Sequence, residues 1–181
     1  QECQSMSETA LADLAARVRR LEAERAIRDL KARYLRACDL KDAEGVRDTL
    51  DPAATIDFEG FPPFEDREAF VAIYREFGCA PGVFDIHHGA NGVIEFASEH
   101  EATGRWSLLF HNINLAARSL TQMGVEYEDR YRERDGRWWI VGSRSRRTSF
   151  LAHSVGEDSV PRVTVMGAPP DVPFGQPVAP E

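Results

Sequence analysis

The sequence predicts an α+β fold, with helices first and strands afterwards. Three observations carry that expectation. Apolar residues recur at three- and four-residue steps through residues 7–39, as on one face of a helix. From Val83 onward the texture changes to four long segments rich in β-branched and aromatic residues, roughly 83–97, 101–117, 120–134 and 137–150. Asp135-Gly136 separates the last two and is the strongest hairpin signal in the chain. Helices followed by sequence-adjacent strands is the α+β order, and such strands pair mostly as an antiparallel meander.

Each element has a local reason. Ser7 is a plausible N-cap, and Leu11, Leu14, Val18 and Leu21 form a first apolar stripe. A second follows at Ile27, Leu30, Tyr34 and Ala37 or Cys38. No Gly or Pro interrupts this stretch, so it is one long helix or two with a bend near Glu22–Glu24. Asp42 can cap a short helix carrying Val46 and Leu50, which Pro52 stops. Thr55–Phe58 reads as a short strand and Gly60–Pro63 as a turn. Asp66 caps a third helix carrying Phe70, Ile73, Tyr74 and Phe77, ended by Gly78.

Three units are expected. Residues 1–6 read as a non-native or disordered start, 7–150 as one domain, and 151–181 as a Pro-rich extension. Six of the ten prolines lie in that extension, which argues against a central strand there. Val163, Val165, Met166 and Phe174 give it enough apolar surface to cover a pocket or a neighbouring subunit.

Composition narrows the function classes. Thirty acidic against 22 basic residues give a net charge of −8, which disfavours a nucleic-acid partner. Arg144, Arg146 and Arg147 are the one dense basic cluster, too small to reverse that. No run of about 18 apolar residues exists, so no membrane span is expected. Three scattered cysteines and no secretory pattern point to no disulfide framework and to a cytoplasmic setting. No Gly-rich phosphate loop or metal-ligand spacing is present, so neither cofactor nor metal is implied.

The residues able to carry chemistry are few. Asp39 stands near a helix C-terminus, where a carboxylate is unfavourable for the helix dipole unless something compensates it. His87 and His88 are adjacent on a strand, so only one of them can enter a given cavity, and parity does not say which. Trp106, Leu108 and Phe110 alternate on one strand, Tyr127, Asp129 and Tyr131 on the next. Trp138, Ile140, Arg144 and Arg146 share parity on the last. Asp129 among aromatics requires a partner if buried, and an Arg of an adjacent strand is one. Aromatics with a few polar groups also describe the wall of a small-molecule pocket.

The run Ile27–Tyr34 (IRDLKARY), continuing to Asp39, Leu50 and Ile56-Asp57, resembles the opening of the SnoaL-like polyketide cyclase and scytalone dehydratase group of the nuclear transport factor 2-like superfamily. His87–Asn91 (HHGAN) is similar to the group's His-containing strand motif, and Tyr127–Trp138 to its last hairpin. The resemblance implies a cone-shaped barrel, a curved, mostly antiparallel sheet wrapped around the N-terminal helices over a deep apolar pocket. It also implies that Asp39 orients His87 as general base, with Tyr34 as acid or hydrogen-bond donor. Trp106, Leu108, Phe110, Tyr127, Asp129 and Arg144 are then expected to bind substrate. The implied activity is a cofactor-independent lyase, a dehydratase or dehydrohalogenase, acting on a hydrophobic cyclic molecule. An isomerase or cyclase on the same site, or a non-catalytic binding or assembly subunit, is the alternative. A homodimer or homotrimer is implied as well.

Overall fold

The computed structural model describes the backbone of residues 2–169 and the side chains from Ser7 onward. Gln1 and the segment 170–181, with Phe174 and the last prolines, lie outside the described residues. With no helix breaker to interrupt it, α1 runs unbroken over Glu2–Asp39. It is not divided at Glu22–Glu24, and Ser7 sits inside it rather than capping it. Its two stripes part company. Ile27, Leu30, Tyr34 and Cys38 are buried, whereas Leu11, Leu14, Val18 and Leu21 are all exposed.

Asp42 caps α2 (Ala43–Arg47), its carboxylate accepting from the Gly45 N–H at 2.9 Å. That helix stops before Leu50, because β1 (Leu50–Phe58) begins there, five residues earlier than expected. Pro52 is tolerated inside β1 for a definable reason. The strand is an edge, pairing β5 and otherwise bridged only at Ile56 to Phe64, and its register slips between Leu50 and Thr55. Asp66 caps α3 (Arg67–Ile73), accepting from the Ala69 N–H at 2.8 Å. The helix then widens into a π-turn over Tyr74–Gly78.

Strands β2 (Val83–Phe96), β3 (Glu101–Asn114), β4 (Ser119–Arg134) and β5 (Arg137–Val155) form the expected meander. Asp135 and Gly136 both have positive φ, as a type I′ turn between β4 and β5 requires. The sheet order is β1-β5-β4-β3-β2, with β1 parallel to β5 and every other pair antiparallel. It curves over α1 as a cone but does not close; β1 and β2 are edges. The core lies between α1 and the inner face, where Ile27, Leu30, Val46, Leu50, Ile56 and Ile140 are essentially inaccessible to water. Burying each contributes roughly 1.5–3 kcal/mol.

Residues 151–155 continue β5, and Pro161–Gly167 form a sixth strand, β6, antiparallel to it. Pro161 stands at the first position of this edge strand, where a missing N–H is harmless.

Candidate active site

Strand β2 decides between the adjacent histidines. Val83, Asp85 and His87 face inward, whereas Phe84, Ile86 and His88 face out. Asp39, the last residue of α1, meets His87 twice with one oxygen: Oδ1 lies 2.8 Å from the ring Nδ1 and accepts the His87 backbone N–H, also at 2.8 Å. With Nδ1 donating to a carboxylate, a neutral His87 keeps Nε2 as its bare acceptor nitrogen. Partial burial by itself raises the Asp39 carboxyl. The ring hydrogen bond, the charge of His87, its backbone N–H and nearby Arg36 outweigh that and hold the carboxyl below its ordinary value. The dipole problem of an acid at a helix end is thereby answered.

His87 lines a cavity of about 190 Å³ between the sheet, the C-terminal part of α1 and α3. This is the scale of space that holds one benzene-sized ring. The walls are aromatic: Tyr34, Phe58, Phe61, Phe64, Phe70, Tyr74, Phe110 and Tyr127, closed by Leu108, Met123 and Val125. Phe58 meets Phe70 and Tyr127 edge-on, each with ring centroids 5.5 Å apart, and Phe110 lies 4.8 Å from the His87 ring. Burial pushes the Tyr34 phenol well above its ordinary value and the Cys38 thiol up to about 12, so both stay protonated. Two wider surface hollows, around Arg105, Arg130 and Arg144 and beside Arg33, Arg36 and Trp138, hold neither member of the pair.

The expected site residues therefore divide. Asp39 and His87 are in contact, and His87, Tyr34, Leu108, Phe110 and Tyr127 line the cavity. Trp106, Asp129 and Arg144 do not. Trp106 lies deeper, its indole N–H donating to the Tyr131 hydroxyl at 2.9 Å. Asp129 is buried and takes its cation from the helix rather than from an adjacent strand. Its Oδ2 is 2.7 Å from Lys31 Nζ, and it accepts from the hydroxyls of Tyr131 at 2.7 Å and Ser143 at 2.6 Å. Arg144 faces outward and pairs with Asp57 at 3.3 Å.

A β-bulge explains Arg144. The β4–β5 register slips at Val141, where Tyr131 opposes Ile140 but Arg130 opposes Gly142. Parity inverts there, so Ser143, Ser145 and Arg147 turn inward in place of Arg144 and Arg146. Arg147 thus becomes the cavity's guanidinium, its side chain 7% exposed, with Nη2 3.3 Å from Glu59 Oε1. Sequence reasoning missed it, although Gly142 within a strand is the usual sign of a bulge. Asp85 and Asn112 were missed as well. They sit on the wall beside His87, Asn112 donating to Asp85 at 2.6 Å while Lys41 pairs with its other oxygen. Among the described residues no three His, Cys, Asp or Glu side chains converge as metal ligands do.

The SnoaL-like domain family matches residues 19–144, well over half of the chain. The chain belongs to this family. Solved structures agree on the fold. A hexachlorocyclohexane dehydrochlorinase (LinA, type 2) superposes with a TM-score of 0.68 at 21% identity, covering 86% of this chain and 99% of its own. The LinA-type3 enzyme of Novosphingobium barchaimii gives 0.68 at 21%, covering 84% and 99%. A scytalone dehydratase-like protein of Novosphingobium aromaticivorans gives 0.68 at 20%, covering 88% and 98%. At these identities the likeness to the three concerns the fold. The family match ends at residue 144, inside β5, so the rest of β5 and β6 lie beyond the matched segment.

Proposed function

We propose that this SnoaL-like protein is a cofactor-independent lyase that eliminates water or a halide from a hydrophobic, single-ring molecule. The observation carrying this reading is the 2.8 Å contact between Asp39 and His87 on the wall of an aromatic cavity. His87 Nε2 takes a proton from a ring carbon, and the electrons of that C–H bond become the new C=C bond. The leaving group departs with its bonding pair, as halide or, with the proton passed on by the imidazolium and a hydrogen bond from the Tyr34 phenol, as water. Asp39 holds the ring orientation and stabilises the imidazolium that forms. Arg147 places positive charge where the departing anion or an enolate oxygen gathers negative charge. A substrate without a leaving group would be isomerised by the same groups, and one with an internal electrophile cyclised.

The fold shared with dehydrochlorinases and a dehydratase-like protein supports the reaction class, and the aromatic walls support the substrate class. Leu108, Phe110 and Tyr127 then bind the ring. A homodimer or homotrimer belongs to this reading; Phe84, Ile86 and Leu109 stand exposed on the outer sheet face. The test is turnover of a panel of halo- and hydroxy-substituted cyclohexanes, cyclohexenones and dihydroaromatics by the wild type, His87→Gln and Asp39→Asn. General-base chemistry calls for a loss on the order of 10²–10⁴-fold in His87→Gln. Equal turnover by all three proteins would remove the pair from catalysis, and tight ligand binding without turnover would make the chain a binding subunit.

A further inference from the structure

The exposed half of α1 carries an apolar stripe that its own domain leaves uncovered. Residues Ser7–Glu22 are all exposed, so this part of the helix, roughly 24 Å long, stands clear of the core. Leu11, Leu14, Val18 and Leu21 are 63%, 54%, 44% and 66% exposed. At 100° per residue, their stripe is centred about 170° around the helix from that of Ile27, Leu30, Tyr34 and Cys38. One helix cannot bury both stripes in one domain. Arg20, on the core-facing side, lies over the Phe96 ring at 4.9 Å and leaves the far stripe open.

The spacing 11, 14, 18, 21 is that of heptad positions a, d, a, d. Leucine at both d positions with β-branched Val18 at the second a is compatible with two parallel strands, and because Leu11 at the first a is not β-branched the strand direction rests on the flanking charges. The flanking charges agree. Arg17 falls at g and Glu22 at the following e, so a parallel, in-register pair sets Arg17 of each copy against Glu22 of the other. An antiparallel pair would instead set Glu8 against Glu22 on one flank and Arg17 against Arg17 on the other. Two heptads are too short to pair as free peptides, but here the helix is already formed and anchored at its C-terminal half.

We infer that residues 7–22 form a short parallel two-stranded coiled coil between two copies of this chain, separate from any contact of the sheets. This inference is independent of the catalytic reading. It is tested by sedimentation equilibrium on the full chain. Leu14→Glu/Leu21→Glu should weaken self-association at least tenfold while leaving unchanged the thermal midpoint measured at a dilution where the wild type is monomeric, since both side chains are exposed in the single chain. Arg17→Glu and Glu22→Arg should each weaken it, and mixing the two variants in equal amounts should restore it, because every cross-pair becomes attractive again. A monomeric wild type, an unchanged association constant in the double leucine variant, or a mixture no tighter than its components would overturn the inference. A partner of another kind on this stripe would show itself as the first of these.

Discussion

Two acid–base pairs join α1 to the sheet, one at a buried end and one at the cavity end, and they are built in opposite ways. At the buried end Lys31 and Asp129 have side chains 2% and 0% exposed. Every oxygen of Asp129 is occupied, and the Lys31 ammonium, ion-paired with it at 2.7 Å but without a hydrogen bond of ordinary geometry, sits 3.8 Å over the Tyr127 ring. At the cavity end Asp39 and His87 are 19% and 14% exposed, and the histidine lines the cavity. Complete burial makes a pair structural, because removing either partner would strand a buried charge. Partial exposure beside a cavity is what the proposed base requires. Tyr127 belongs to both surroundings, under the ammonium and in the cavity wall.

Substitutions should separate the ends cleanly. The largest effect is expected in His87→Gln: a turnover loss of about 10³-fold with denaturant stability within about 1 kcal/mol of wild type. Next comes Lys31→Met, which leaves Asp129 buried without its cation and should lower unfolding free energy by about 3–5 kcal/mol in urea titrations. Adding Asp129→Leu to it should recover part of that loss, since a double apolar replacement removes the stranded charge. A smaller effect falls on Arg147→Met, expected to lower kcat/KM by about 10–100-fold and most for the poorest leaving group, with stability altered less than in Lys31→Met. If Arg147→Met instead unfolds the protein as Lys31→Met does, the two ends are not distinct.

The pH dependence is subtler. Asp39 is held below its ordinary pKa, so its pairing contributes stability above the usual carboxylate range, and that contribution is lost as pH falls through the lowered folded value. Thermal melts of wild type should therefore lose stability on acidification more steeply than those of Asp39→Asn. Smallest of all, Asp66→Ala removes the cap of α3, whose Phe70 walls the cavity, and should cost about 1 kcal/mol.

How far the sequence disclosed these regions follows from the periodicities involved. The meander, the Asp-Gly turn and two helix caps were visible because each depends on a few adjacent residues. The choice of His87 over His88 was not a matter of parity, since both faces of β2 carry apolar residues; the family resemblance supplied it. Arg147 was hidden by the bulge at Val141, because one extra residue inverts every later side chain and only Gly142 hints at it. Lys31 was overlooked because a lysine inside an apolar stripe reads as a solvated residue until its acid partner is seen beneath it. The sixth strand was masked by proline content, although Val163 and Val165 alternate as strand residues do.

The nitrogen-15 spectrum of His87, taken at a pH where the ring is uncharged, bears most directly on the cavity end, since it needs no knowledge of the substrate. If Asp39 holds the ring for proton abstraction, Nδ1 carries the hydrogen and Nε2 the shift of a bare acceptor, and Asp39→Asn weakens that preference. A neutral ring with its hydrogen on Nε2 in the wild type, unchanged in Asp39→Asn, would contradict the assignment of His87 as the base.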